Sequence, residues 1–539
     1  MFHQILDPLQ SIGMTTLVAL VPVALLLILL GVFRMTAWLA VIIGSLATIL
    51  LATLVWHTPV GSALTAYWYG GLTGLWAVDW ITFWGVTMYF TLVYTGLLDI
   101  FEKWMISQVT ADVRVQAIIL AWSFGALLEG LVGFGYPWAV IAPILIGLGI
   151  KDLDAIRVTA IANNAPVSYG ALGVPIIVLA GVTGLPLLKL SGAVANIVAL
   201  LALAPPWILI YMVTGRKGLK DGWPLAVVGS LSYILGQWPV AHFMGPWLPD
   251  ITGAIVSFVC LLLLLKVWRP KTCLGYGGKE VCAADAEEKS HDLSGAQVFQ
   301  AWVPFFIMVI VVVLGTWEAF PWVGHLNKVS LLTAKIGAVS SVTHKPMAAL
   351  FNWNLFAGGT WIFFSWLIVV LLFAGKTLPV LGQVFAKVFK QMWGALLVGF
   401  FIFGLAFEFN YSGMAASLGN GFSKMGPAFI LFAPILGIIG VALSGSNTTT
   451  NALFGFVQAT VGKLLGFPVL LLPALNSVGA EVGKPIAPQT ASVGASTTGY
   501  TRKEGEVIRH NMGWALVVLG YLILIGLFFY FVAPGVMSL

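Results

Sequence analysis

Charged residues are scarce in this sequence. Of its 539 residues, 9% are Asp, Glu, Lys or Arg, whereas 60% are hydrophobic. A soluble globular protein needs a larger charged fraction, so this composition excludes that class. The net charge of +6 does not require a nucleic-acid partner, because the basic residues lie in short connections between apolar segments. The composition therefore predicts a protein embedded in a lipid bilayer.

Cysteine is also scarce, and several motifs are absent. Cys260, Cys273 and Cys282 form no CxxC or Cys/His pattern, so neither a disulfide framework nor a zinc site is predicted, and no cofactor is implied. The sequence has no H-E-x-x-H, G-x-S-x-G or P-loop motif, which argues against an enzyme. The first apolar segment lacks a cationic start and a small-residue cleavage site, so we expect it to be a retained helix.

Long apolar runs are abundant. Uncharged stretches recur at 14–33, 36–55, 191–213, 251–265, 303–316, 361–374 and 514–533. An outer-membrane barrel would show short alternating segments instead. The predicted fold class is an all-α polytopic membrane protein with about 12–14 transmembrane helices.

Polar and basic segments divide the chain. The longest polar stretch predicts a cytoplasmic linker at 266–298 between a first membrane half, 1–265, and a second, 299–539. The basic segments 214–223 and 266–273 flank a turn without Lys or Arg, so we expect both to face the cytoplasm and the turn to lie outside.

Two interruptions of the apolar pattern occur in each half, and they form a weak repeat. "LEGLVGFG" at Leu128 is followed by "NNAPVSYGALGVP" at Asn163, and "LSGSNTTT" at Leu443 is followed by "NSVGAEVGKPIAP" at Asn476. Paired interruptions in corresponding halves indicate a transporter's binding site. We expect two inverted repeats, each with a broken helix and a re-entrant hairpin, near 116–149 and near 426–465. Close helix packing would also use such small residues, but four motifs in two similarly spaced pairs favour a site.

Ionisable residues in apolar surroundings are candidates for proton coupling, because each is costly in a bilayer. Glu129 lies at the first interruption, and Glu408 and Glu481 lie in apolar segments of the second half. Lys484 could attract an anion or pair with an acid. Asp79 and Asp99 lie near the expected ends of spans, so we expect them at the membrane interface.

These motifs resemble those of the bacterial L-lactate permeases, which include the glycolate permeases. "FGALLEGLVGFGYP", "NNAPVSYGALGVPI", "NYSG", "SGSNTTTNALF" and "GKPIAPQ" follow the family's order, and the likeness covers nearly the whole chain. The resemblance implies import of short 2-hydroxymonocarboxylates with protons across the bacterial inner membrane. It also suggests kinship with a larger ion-transporter superfamily that often uses an elevator motion.

Departures from the family pattern fall at the expected site. The family commonly has Asp in the Gly-Ser-Asp-Thr block, whereas this chain has Asn447, and we would expect uncharged residues where Glu408 and Glu481 stand. A proton role of that Asp cannot be carried over. A relocated coupling site, another substrate or sodium coupling would each explain the differences.

The interrupted helices predict where a substrate carboxylate binds, because helix N-termini offer free N–H groups and partial positive charge. The residues expected to contact the substrate are Gly133, Gly135, Asn163, Asn164, Tyr411, Ser412, Ser444, Ser446, Asn447, Thr448, Lys484 and Gln489. The expected partners are a monocarboxylate anion, a proton and membrane lipid, with a homo-oligomer left open. Sodium-coupled carboxylate transport and an anion channel are the alternatives.

Overall fold

The structure is a computed structural model that describes residues 2–108, 110–133, 135–281, 293–496, 498, 500 and 503–539. Most of the regular structure in these ranges is helical, as expected from the composition. The helices before the linker are α1 (Ile12–Gly31), α2 (Ala37–Leu54), α3 (Val60–Thr73), α4 (Trp80–Tyr94), α5 (Leu97–Ser107), α6 (Val113–Gln116), α7 (Gly125–Leu131), α8 (Tyr136–Gly147), α9 (Asp152–Ala162), α10 (Gly170–Thr183), α11 (Leu187–Leu201), α12 (Pro205–Phe243) and α13 (Pro249–Val267).

The second half continues in the same way. Its helices are α14 (Gly295–Thr316), α15 (Pro321–Leu326), α16 (Gly358–Leu372), α17 (Ala374–Thr377), α18 (Leu381–Tyr411), α19 (Met414–Ser423), α20 (Phe429–Ser444), α21 (Asn447–Leu465), α22 (Leu471–Gly483), α23 (Pro488–Ser496) and α24 (Glu504–Phe531). Two π-helical segments, Gly74–Asp79 and Ala117–Phe124, join α3 to α4 and α6 to α7.

The helices long enough to cross a bilayer are fewer than expected. By length and composition, the described residues contain nine, or up to eleven if two bent helix pairs each form one span. Interrupted segments lower this count, because their helices are individually short. One of the nine, Leu187–Phe243, has 57 residues. At ~1.5 Å per residue, its helices are long enough for two crossings of a ~30 Å hydrocarbon core.

Helix breaks occur at all four predicted interruptions. In the first half, α7 and α8 pack against each other across a break that contains Gly133 and Gly135, both with positive φ. The second break there separates α9 from α10 by a bend of 67°. In the second half, α20 and α21 are joined by Gly445 and Ser446 and pack against each other, and the 3₁₀ turn Lys484–Ile486 separates α22 from α23. Whether these pairs are re-entrant and related by inverted symmetry remains a prediction.

A small β-sheet was not predicted. β2 (Ser330–Val339) and β3 (Pro346–Asn354) form an antiparallel hairpin, and β1 (Phe2–His3) pairs with β2 in parallel. In the sequence, Thr333 and Lys335 alternate with apolar residues before a polar turn, and this alternation is typical of a β-strand. The hydroxyl of Tyr411, the last residue of α18, donates a hydrogen bond to the Gly337 carbonyl of β2 at 3.0 Å.

The described part of the linker is bound to helices of the first half, one of which also contacts the second half. Arg114 is fully buried, forms an ion pair with Asp112 at 2.6 Å and donates to the Thr272 carbonyl at 2.7 Å. The Tyr276 hydroxyl donates to Asp154 of α9, which also contacts His510 of α24 at 2.9 Å. Residues 282–292 of the predicted linker, including Cys282, lie outside the described residues, and α14 begins at Gly295, inside its predicted range.

Candidate functional site

A cavity of about 570 Å³ lies where the interrupted helices of the two halves meet. This volume falls in the ~300–1,000 Å³ range typical of small-molecule sites. It is lined by residues from the break after α7, the turn between α20 and α21, the α22–α23 connection, and helices α4, α10 and α18. The predicted site residues that line it are Glu129, Gly133, Ser444, Ser446, Asn447, Thr448, Lys484 and Gln489.

The turn before α21 directs a helix N-terminus to this cavity. Gly445 has a φ of +73° and ends α20, and a Cβ there would collide with the Gln489 side chain. Ser446 then caps α21, since its Oγ accepts the N–H of Thr449 at 3.2 Å. Asn447 is 4% exposed, and neither atom of its side-chain amide has a hydrogen-bond partner among the described residues. A buried amide of this kind is suited to a ligand.

Lys484 and Glu129 form a buried ion pair at the cavity wall. Lys484 Nζ lies 2.6 Å from Glu129 Oε1, and the two side chains are 7% and 2% exposed. Asn163 Nδ2 donates to the other carboxylate oxygen at 3.1 Å. A Cβ at Gly170 would lie 2.7 Å from Glu129 Oε1, so this glycine lets the broken helix approach the carboxylate closely. The pair joins the first hairpin to the broken helix of the second half.

Glu481 belongs to a polar network behind the cavity. Its Oε2 accepts a hydrogen bond from Ser168 at 2.6 Å, and Ser168 lies 3.1 Å from Ser477. Ser477 accepts from Asn451, whose Oδ1 accepts from Asn476. The network is fully buried and links the broken helix of the first half to α21 and α22. Glu481 is therefore separated from the cavity surface.

Other predicted site residues do not line the cavity. Gly135 packs near Thr490, whereas Asn163 and Asn164 lie in the break after α9. Ser412 donates to the Phe409 carbonyl at 3.3 Å, and Tyr411 is held by the sheet. Glu408 is fully buried, and its carboxylate has no hydrogen-bond partner among the described residues. The roles predicted for these residues stay predictions.

Asp79 was missed as a candidate site residue. Its predicted position at the membrane interface stays a prediction, but it is 6% exposed, lies within the helical path from α3 to α4 and lines the cavity. A single acid in the apolar stretch "WAVDWITFW" was the signal for its position. Asp99, in contrast, forms an exposed ion pair with Lys103 at 2.7 Å, as an interfacial residue can.

The comparisons with known sequences agree along nearly the whole chain. The family model described as L-lactate permease matches residues 15–535. The chain is 34% identical to the glycolate permease GlcA of Escherichia coli K12, over 99% of both chains. It is 32% identical to the L-lactate permeases of E. coli K12 and Bacillus subtilis 168, over 96% and 94% of each pair of chains respectively.

Two solved transporter structures are also similar in part. The match to MtrF of Neisseria gonorrhoeae has a TM-score of 0.48 and 14% identity, and covers 87% of this chain and 84% of that one. The match to the YdaH transporter of Alcanivorax borkumensis has a TM-score of 0.41 and 15% identity, and covers 91% and 89%.

The sequence matches bear on the predicted class and location. Permeases are transporters and not enzymes, and those matched here are bacterial, so the matches and the apolar helices confirm a multi-pass transporter of the bacterial inner membrane. A family match over nearly the full length, with relatives above 30% identity, leaves one assignment. The chain belongs to the L-lactate permease family.

Proposed function

We propose that this protein imports L-lactate and related short 2-hydroxymonocarboxylates, such as glycolate, by proton symport. The names of its relatives support the substrate class. The observation that carries the coupling is the Lys484–Glu129 ion pair at the cavity wall, with its 2.6 Å separation. In this pair, the ammonium group of Lys484, which could bind a substrate carboxylate, binds the carboxylate of Glu129 instead.

Substrate binding then requires an exchange of partners at Lys484. The incoming carboxylate replaces Glu129, and the first turn of α21, with Asn447, offers it further hydrogen-bond donors. Glu129 would be left as a buried charge without its cation, which is costly. Protonation of Glu129 removes that cost, so binding of the anion and of a proton favour each other.

This exchange of partners at Lys484 determines how much net charge crosses the membrane in each transport cycle. One proton and one monoanion together carry no net charge, so a 1:1 cycle responds to the pH gradient. It responds little to the membrane potential, which supplies about 2.3 kcal/mol per 100 mV for each net charge moved. Glu408 and Glu481 are the other candidate proton carriers, although neither lines the cavity.

An elevator motion is the proposed way of moving the substrate. The interrupted helices carry Lys484, Glu129 and Asn447, whereas α4 and α18 supply other residues of the cavity lining. The ion pair and the network around Glu481 connect the interrupted helices to one another. These helices could therefore move as one unit past α4 and α18.

Uptake into liposomes tests this function. Purified protein is assayed with labelled L-lactate and glycolate under proton and sodium gradients imposed separately. We expect uptake of both substrates with an inward proton gradient alone and little change when a potential is added. Uptake that needs sodium but no proton gradient would support sodium coupling, and flux without saturation or exchange would support a channel. No uptake of either acid contradicts the proposal.

A further inference from the structure

The cavity extends from the helix breaks towards one end of α18. The residues of α18 that line it run from Gln391 to Ile402, and the lining residues of α2, Ala37 and Trp38, are the first two of that helix. The other end of α18 is Tyr411, which is bound to the β-sheet. Ala37 and Gln391 are both exposed. The mouth of the cavity therefore lies on the side away from the sheet.

The side away from the sheet is the side of the polar linker. Lys376 of α17, which precedes α18, donates a hydrogen bond from Nζ to Gln300 at 3.2 Å. Gln300 lies near the start of α14, just after the predicted linker. We call this side the linker face, and in the predicted orientation it is the cytoplasmic face. The cavity thus opens to the linker face in this structure.

A hydrogen bond joins an interrupted helix to α18 at the mouth of the cavity. Gln391 Nε2 donates to the Tyr136 hydroxyl at 2.5 Å, and both residues line the cavity. Tyr136 is the first residue of α8 and follows Gly135, which has a φ of +79°. The Tyr136 ring also meets Tyr89 of α4 edge to face, with the ring centroids 4.8 Å apart. Tyr136 thus docks the first hairpin onto α4 and α18, the helices past which the proposed motion carries it.

We propose that Tyr136 and Gln391 are positioning residues that favour the conformation in which the cavity faces the linker. A contact between two units that move past each other is present in one conformation and lost in the other, so it stabilises the first relative to the second. Loss of one hydrogen bond should shift this equilibrium by about two- to tenfold. The inference rests on the proposed function, because import requires the cavity to alternate between the two faces.

Exchange measured from each face of the membrane tests the inference. Labelled-for-unlabelled glycolate exchange is assayed at equal pH on both sides, in right-side-out and inside-out vesicles from cells that do not otherwise transport glycolate. The apparent affinity at each face is reduced by the fraction of protein that faces it, so the ratio of the two half-saturation concentrations reports the equilibrium between the conformations. Inside-out vesicles present the linker face in the predicted orientation.

Removal of the hydrogen bond should weaken glycolate binding at the linker face relative to the opposite face. In Tyr136→Phe and in Gln391→Met, we expect the ratio of the linker-face to the opposite-face half-saturation concentration to rise about two- to tenfold. The double variant should shift the ratio no further, because both changes remove the same hydrogen bond. A change that only lowers the amount of folded protein alters the exchange rate and leaves the ratio unchanged.

Tyr521→Phe is the matched control for the loss of a tyrosine hydroxyl. The Tyr521 hydroxyl donates to the Leu200 carbonyl at 2.7 Å, and neither residue is among those that line the cavity. The ratio of half-saturation concentrations should be the same in this variant as in the wild-type protein.

A covalent link provides a second test. In a protein whose cysteines Cys260, Cys273 and Cys282 are replaced by Ser, Tyr136→Cys and Gln391→Cys are joined by a reducible bifunctional thiol reagent. The linked protein should still bind glycolate from the linker face but should not exchange it across the membrane, and reduction should restore exchange.

Three results would overturn the inference: an unchanged ratio in either single variant, a ratio that falls, or linked protein that continues to exchange glycolate. Each of them leaves exchange by the wild-type protein intact. Failure of the proposed function is a different result, because wild-type protein would then exchange no glycolate in vesicles of either orientation.

Discussion

At the residue scale, Glu129 and Lys484 place two opposite charges in contact at a buried position. The Lys484 side chain is 7% exposed and that of Glu129 is 2% exposed, so neither charge is well solvated when the other is absent. Removing one partner of such a pair typically costs about 3–5 kcal/mol. A substrate anion and a proton can each compensate for that loss, which gives the pair two exchangeable ligands.

Glu129→Gln should separate exchange from accumulation. Glutamine keeps an oxygen near Lys484 and resembles the protonated acid, but it cannot release a proton. We expect exchange of labelled for unlabelled lactate across the liposome membrane to persist, while accumulation driven by a pH gradient falls at least tenfold. Accumulation and exchange are measured on the same liposome preparation.

The control for this variant is the exposed Glu318, whose change to Gln should alter neither activity. Loss of both activities in Glu129→Gln with an unchanged melting temperature would count against the exchange of partners, because it would make the acid essential for binding. Retained accumulation would move the proton to another acid, with Glu481 the first to examine.

Sequence reasoning was effective for residues whose chemistry conflicts with their surroundings. Glu129, Lys484 and Asn447 are polar in apolar or interrupted segments, and all three line the cavity. Tyr411 and Ser412 have the same local signal, but their neighbours in space decide their role. Tyr411 binds a sheet whose β2 strand begins more than 80 residues earlier in the chain, which no local pattern reports. Asp79 was not predicted as a cavity residue, because the sequence around it does not report which helices pack against it.

At the element scale, the broken helix of the first half contains three consecutive residues in the left-handed backbone conformation. Ala171, Leu172 and Gly173 have positive φ within α10, where right-handed values are the rule. Such residues cost about 1–3 kcal/mol each unless they are glycine. The surrounding packing holds this strained turn beside Glu129.

Gly173→Ala should therefore destabilise the protein. The residue has a φ of +77°, and an added Cβ would collide with the Pro246 carbonyl. We expect a loss of at least about 1–3 kcal/mol and a lower melting temperature in detergent. Gly181→Ala is the matched control in the same helix, because nothing lies within 4 Å of its Cβ position, and it should be neutral or slightly stabilising. Equal melting temperatures for the two variants would refute the strain argument.

Helix breaks could be predicted where the local residues favour the end of one helix and the start of the next. Gly445 and Ser446 terminate one helix and cap the next, and both effects depend on local conformational preference. The hairpin of β2 and β3 was missed because its strands are mostly exposed and it lies between long apolar helices. Burial patterns are a weak guide for such a segment.

At the scale of the whole molecule, Arg114 connects the linker to the membrane domain. Its guanidinium is fully buried, binds Asp112 and reaches the Thr272 carbonyl. Arg114→Met should leave Asp112 without its counter-charge and cost about 3–5 kcal/mol. Lys217→Met breaks an exposed pair with Glu280, in which the side chains are 62% and 65% exposed, and should cost about 0–1 kcal/mol. Thermal unfolding of both variants in one detergent provides the comparison, and equal losses would contradict it.

The Tyr276 contact should make stability depend on pH in an alkaline window. Burial, followed by its hydrogen bond and repulsion from Asp154, raises the pKa of Tyr276 from 10.0 to about 12. The folded state thus favours the neutral phenol, so this contribution is complete below about pH 10 and is lost as the pH rises through about 12. Tyr276→Phe should show a smaller fall in melting temperature between these values than wild type. An identical pH profile would count against this contribution.

The recurrence of the interruptions in both halves was accessible from the sequence, whereas their relation by inverted symmetry stays a prediction. The interruptions recur in both halves because each half must break helices at the cavity, and this leaves a pattern of Gly, Pro and Asn. The number of spans was harder to predict, since helices such as α12 are longer than one crossing and contain a reversed residue at Gly215. Helix length and span length are then no longer equivalent.

The pairing of β1 with β2 constrains the order of assembly. Phe2 is in register with Ala338, so the ribosome releases one strand long before its neighbour exists. Closing so long a loop is slow and can follow only after most of the chain has been inserted. During synthesis, residues 2–3 should therefore become protected from protease only after β2 has been made. The moment at which this protection appears would mark the completion of the fold.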